Sequence, residues 1–182
     1  MRSWIAVLAA LVVCAGAPIA AAQTIRPAPL ALVRPSAPAP GVCAEATRAT
    51  FLAGFSDHMG AVLAYGQAIG EYGERLADWK GQRLIELGAW TAEDHGAFAL
   101  GLLEDEGFMG FLNASMAEVS GMTRSASAYG AAVEAGDEAG ACANAVDALR
   151  AADRVVESAA AQWAYMHARY DAEAAARGVS LE

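Results

Sequence analysis

The sequence predicts an all-α protein: a long antiparallel three-helix bundle, up-down-up, with one disulfide. It becomes a four-helix bundle if Ser120-Gly121 breaks the second helix. Three observations predict this. From Ala44 onward there is no proline in 139 residues, and the prevalent letters (Ala, Leu, Glu, Arg, Met) are strong helix formers. Apolar residues recur in alternating steps of three and four, the heptad signature of packed helices. Cys43 and Cys142 open the first and last helical segments, which an up-down-up topology places at the same end. The core should be narrow: 56% of the 182 residues count as hydrophobic, but 47 residues are alanine.

Residues 1–22 read as a secretory signal: Arg2, an unbroken apolar run from Trp4 to Val13, then Ala20-Ala21-Ala22 before Gln23. Its removal implies an oxidising compartment, the periplasm or the exterior, where a Cys43–Cys142 disulfide is favoured. Residues 23–42 hold Pro27, Pro29, Pro35, Pro38 and Pro40. Proline lacks an amide donor and disfavours helix in the residue before it, so this segment reads as an extended, disordered tether. The bundle domain then spans residues 43–178, with 179–182 as a tail.

The first helix, about Ala44–Leu87, carries the stripe Phe51, Phe55, His58, Val62, Tyr65, Ile69, Tyr72, Leu76 and Trp79. Gly88 stops it, and Thr91 with Asp94 three residues on forms a capping-box variant that starts the next helix. The second carries Phe98, Leu102, Asp105, Met109, Leu112, Met116 and Val119. Gly136-Asp137 makes the next turn or cap. The last helix, about Asp137–Arg177, carries Cys142, Val146, Leu149, Asp153, Val156, Ala160, Trp163, His167 and Tyr170. Glycines inside the helices, such as Gly66 and Gly70, imply close helix approach.

The polar stripe positions are the candidate site residues. Levels counted from the bundle ends put His58 and Asp153 in one layer, and His167 with Asp105 and Tyr72 in another. A buried charge must be paired, so such layers either set helix register or form a ligand or pH-sensing site. Phe108, Met109, Phe111 and Met116 crowd one stretch of the second helix and form a candidate partner surface.

Several functions lack their residues. Neither Glu-x-x-His nor His-x-x-x-His occurs, so no metal is expected. A formal net charge of −9 argues against a nucleic-acid interface. Beyond the N-terminal segment no uncharged run is long enough to span a membrane. No Gly-x-Ser-x-Gly occurs. The segment Ala164–Tyr170 resembles the C-terminal helix of cytochrome b562-type haem bundles, with His167 in the ligand position. The axial candidate Met59 lies about two turns from that level, so no cofactor is assigned. The expectation is therefore a non-enzymatic exported bundle that acts by contact with a protein partner or by self-association, as a scaffold, adaptor or accessory subunit of a bacterial envelope assembly. The alternative is a small-ligand or haem-binding bundle.

Overall fold

A computed structural model of the protein describes residues 25–181. Residues 1–22, which the sequence reads as a signal, lie outside the described residues. Four helices follow the extended N-terminal segment: α1 Glu45–Glu86, α2 Ala92–Leu102, α3 Glu106–Glu134 and α4 Glu138–Ala176.

Most boundaries follow local chemistry. Gly88 takes a left-handed φ of 67°, which lets the chain reverse so that the amides of Ala89 and Trp90 close on the Leu84 carbonyl. Thr91 and Asp94 then cap α2 reciprocally: the Thr91 side chain accepts from the Asp94 amide, and the Asp94 carboxylate accepts from the Thr91 amide. Gly136 (φ 69°) ends α3, and the Asp137 side chain caps α4 by accepting from the Gly140 amide.

The bundle has four helices, but the break is not at Ser120-Gly121. The α3 helix passes through that pair unbroken, and the Ser120 hydroxyl donates back to the Met116 carbonyl at 2.9 Å instead of capping a new helix. The break falls at residues 103–105. Asp105 leaves the helical conformation, and its carboxylate accepts from the Phe108 amide at 3.0 Å as the cap of α3. An aspartate satisfies the free amides of a helix start better than it sits on an apolar stripe. The stripe drawn across 98–119 therefore changes phase at this point. Phe108 is almost fully buried, whereas Met116 is 51% exposed.

The α4 helix is the centre of the bundle. All the extensive helix–helix packing involves it, with α1 on one side and α3 on the other. α1 and α4 run parallel in constant register: Gly66 faces Val156, and Gly73 faces the Trp163 ring so closely that a β-carbon there would overlap it. α3 runs antiparallel, tied by Ser115 to Ser158 (2.9 Å) and by Arg154 to Glu118 (2.7 Å). Because two helices pack on it, α4 is buried over an arc wider than one stripe. Ala141, Ala145, Ala148, Ala151 and Ala152 fill that arc, their short side chains admitting close approach. The Cys43–Cys142 disulfide is formed at the shared end of α1 and α4, with a Cα separation of 5.7 Å.

The core has two parts. Near the disulfide, Phe55, Val62, Leu149 and Val156 pack with the small Ala145, Ala148 and Ala152. At the other end, Leu76, Trp79, Leu84, Trp90, Leu102, Phe108, Met166 and Tyr170 form a bulkier cluster closed by Leu181. The tail residue Leu181 thus belongs to the core rather than hanging free.

Residues 25–39 carry neither helix nor strand. The segment does not stand away from the bundle as a tether would. It lies along the groove between α1 and α4, with Arg26 5.4 Å above the Trp79 ring and Arg34 paired with Asp153 and Glu157. Charge and aromatic contacts compensate for the backbone bonds that its prolines cannot make.

Candidate functional site

The structure brings His58 and Asp153 together as their level count predicts. Both line a small hollow of about 20 Å³ with Val62, Leu149 and Arg150, roofed by Pro35, Ser36, Ala37 and Pro38. The charge partner of Asp153, however, is Arg34, whose guanidinium donates to one Asp153 oxygen through Nε at 3.1 Å and Nη2 at 2.5 Å, and to Glu157 at 2.8 Å. These bonds hold the guanidinium charged and push its pKa further up. Sequence levels alone pair two stripe residues and miss the third element that lies over them.

The second proposed layer does not assemble. His167 packs its ring against Trp163 (centroids 6.0 Å apart, 23° between planes), with Tyr72 among the partly buried residues at that end of the core. Asp105, being a helix cap, accepts from the Tyr165 hydroxyl at 2.7 Å and lies 3.9 Å from the Arg169 guanidinium. The Phe108 amide and then the Tyr165 hydroxyl hold the Asp105 carboxyl below its usual range, and the same bond raises the Tyr165 phenol. Both ring nitrogens of His167 are buried without a hydrogen-bond partner. Burial first, and the nearby Lys80 ammonium second, lower its pKa from 6.5 to about 4. Lys80 is itself buried; its ammonium donates to the His167 carbonyl at 3.2 Å and to Asp171 at 2.5 Å. Met59 packs in the disulfide-end cluster, away from His167, so the two do not form an axial pair.

The candidate partner stretch divides. Phe108 is core, Met109 packs against the aromatic cluster, and Phe111 lies 5.7 Å from the Tyr165 ring. Met116 remains exposed, and so do Leu100, Leu103 and Val133 on the same side of the sequence. Of the 29 residues of α3, Phe108 is the single buried one.

Sequence reasoning missed a histidine. His95 stacks on Trp90 (5.7 Å), and its Nε2 lies 3.2 Å from the Tyr170 hydroxyl. Its ring sits directly on the backbone of Gly81, where no side chain intervenes. Burial lowers the His95 pKa and raises those of Asp78 and Tyr170; the charge of Asp78 partly opposes the first shift and adds to the third. The available signal was the spacing Trp90, His95, Phe98 beside a capped helix start. Beside this cluster, the N-terminal segment and α1 enclose an open hollow of about 530 Å³ lined by Ile25, Pro27, Ala28, Arg75, Asp78, Trp79 and Gln82.

Chemically, these groups hold surfaces together. Asp105 caps a helix and faces Arg169, Asp153 and Glu157 pair with Arg34, and Asp171 pairs with Lys80. Among the described residues no group of three or more His, Cys, Asp or Glu side chains could hold a metal ion, and no helix is long and apolar enough to cross a membrane. Fold and site thus define a class: a disulfide-stapled all-α bundle with an extended proline-rich segment laid along one groove. Comparison with family models, curated proteins and solved structures gives no match for this chain.

Proposed function

We propose that the protein is an exported, non-enzymatic helical bundle that works by contact with another protein of the bacterial envelope. The observation that carries this reading is α3. Its 29 residues bury one side chain, while Met116 and Val133 stay more than half exposed, and Leu100 and Leu103 before its start are exposed as well. A helix that leaves so much of itself uncovered offers surface to a partner. The Cys43–Cys142 disulfide supports an oxidising compartment, which agrees with the signal-like residues 1–22.

The test is site-specific photocrosslinking in the native host. A photoreactive residue at position 116 should yield one discrete adduct, and the same residue at the exposed Asp147 on α4 should yield none. Equal or absent labelling at the two sites would contradict the reading.

A second reading has one specific observation in its favour. The two unpartnered ring nitrogens of His167 could receive a small polar ligand. Haemin titration that gives no Soret band would remove its haem version.

A further inference from the structure

Residues 25–40 contain two Arg-Pro dipeptides eight positions apart, Arg26-Pro27 and Arg34-Pro35, and no acidic residue. Each pair attaches the segment to the bundle, one through an aromatic ring and the other through carboxylates. Arg26 lies over the face of Trp79, and Pro27 lines the adjoining hollow with Asp78 and Gln82. Arg34 bonds to Asp153 and Glu157, and Pro35 lines the next hollow with His58, Val62 and Leu149. The spacing fits the groove. Eight residues of polyproline helix, from Arg26 to Arg34, span about 25 Å. Sixteen residues of α-helix, from Trp79 back to Leu63, which the Gly66–Val156 register places level with Asp153, span about 24 Å. The receiving face carries Asp78, Asp153 and Glu157 against Arg75 and Arg150, with Trp79 beside them, so its carboxylates and its aromatic ring can take up the guanidinium groups of a basic, proline-rich strand in a chain of net charge −9. Such strands bind well because their backbone is already extended. The strap's own hold is light: its two arginines make exposed contacts, and Ile25 and Val33 are each about 90% exposed. It joins α1 through a turn just before the disulfide, where Gly41 takes a φ of 77°.

We propose that the α1–α4 groove is a recognition site for an extended, proline-rich, arginine-bearing segment of a partner protein, with two Arg-Pro pairs eight residues apart, and that residues 25–40 occupy it as a built-in competitor. This deepens the partner-binding reading by naming a second surface and the chemistry it accepts. The incoming segment puts one guanidinium on Trp79 and the other between Asp153 and Glu157, and the strap swings away.

The test uses the full chain and a fluorescent peptide with the sequence of residues 25–40, read by anisotropy. An intramolecular strap competes at a high effective concentration, so weakening it should expose the groove. The R26E/R34E chain should bind the peptide about 10-fold or more tightly than the unaltered chain. Adding D153R/E157R to that chain should abolish binding, and a peptide with both arginines replaced by glutamate should not bind. Unchanged helical circular dichroism and an intact disulfide confirm folding of the variants, whose altered residues are exposed except for the partly buried Asp153. The proposal is overturned if R26E/R34E binds no more tightly than the unaltered chain, if D153R/E157R leaves binding intact, or if light scattering shows that the strap exchanges between copies to form a dimer. Photocrosslinking at position 116 reads α3, so its outcome stands apart from this one.

Discussion

The two ends of the bundle are held by different means. At the Trp90 end, volume does the work: Trp79, Leu84, Trp90, Phe108 and Tyr170 pack into one thick cluster, with Phe98 and Tyr170 rings 4.5 Å apart. At the disulfide end the buried residues of α4 are mostly alanine, and Phe55, Val62, Leu149 and Val156 supply what bulk there is. Alanine admits close helix approach but buries little area per residue, so this end gains less from burial. The covalent link sits where the hydrophobic core is thinnest. The contrast also separates two kinds of surface, since the strap crosses both ends on one side while α3 leaves apolar side chains bare on the other.

Breaking each end should therefore give a different signature. Replacing both Cys43 and Cys142 with alanine opens a loop of 99 residues and should cost about 4–5 kcal/mol on the chain-entropy estimate. The loss should appear as a lower midpoint in chemical denaturation. Hydrogen exchange should rise first at the α1 and α4 starts, with the aromatic end still protected; uniform loss of protection would unite the two ends. Phe108→Ala removes the largest fully buried side chain, which packs in this cluster, and should cost about 3–5 kcal/mol, with the reverse pattern of exchange.

Acid should act on the aromatic end through His167. The unfolded chain takes up a proton at His167 near pH 6.5 and the folded chain near pH 4. In that window the unfolded state holds more protons, so stability falls as pH drops from 6.5 towards 4, by about 1–3 kcal/mol. His95, also lowered by burial, adds in the same direction. Thermal melts of His167→Leu should show a flatter dependence across that range, and an unchanged slope would mean that His167 titrates freely. The smallest effect should come from Thr91→Ala, which removes half of the capping box beside Trp90 at the aromatic end and should cost about 1 kcal/mol without altering exchange at the disulfide.

Much of this fold was legible in the residues. The α1 and α4 stripes keep to their 3–4 spacing, and every stripe position from Phe51 to Trp79 is at least partly buried. The capping box at Thr91 and the Cys43–Cys142 pairing follow from short-range chemistry and compartment. The break at 103–105 was hidden because Asp105 falls in phase with the stripe, so one residue satisfied both a periodic pattern and a cap. The site was less legible. A polyproline strand has no hydrophobic period to read, and the bond from Arg34 to Asp153 joins residues 119 apart. His58 and Asp153 reached one layer by simple counting, whereas in the trio His167, Asp105 and Tyr72 the level of Asp105 held but its face did not: it contacts Tyr165 and Arg169, which flank His167 and point to another side of α4.

Whether the proline-rich segment belongs to the folded body can be read directly from backbone 15N relaxation of the unaltered protein. A docked strap predicts order parameters for Ala28, Leu32 and Ser36 near those of α1, roughly 0.8, falling below about 0.6 in the R26E/R34E variant. Values below about 0.6 for these residues in the unaltered protein would make the segment a free tether and contradict its place in the α1–α4 groove.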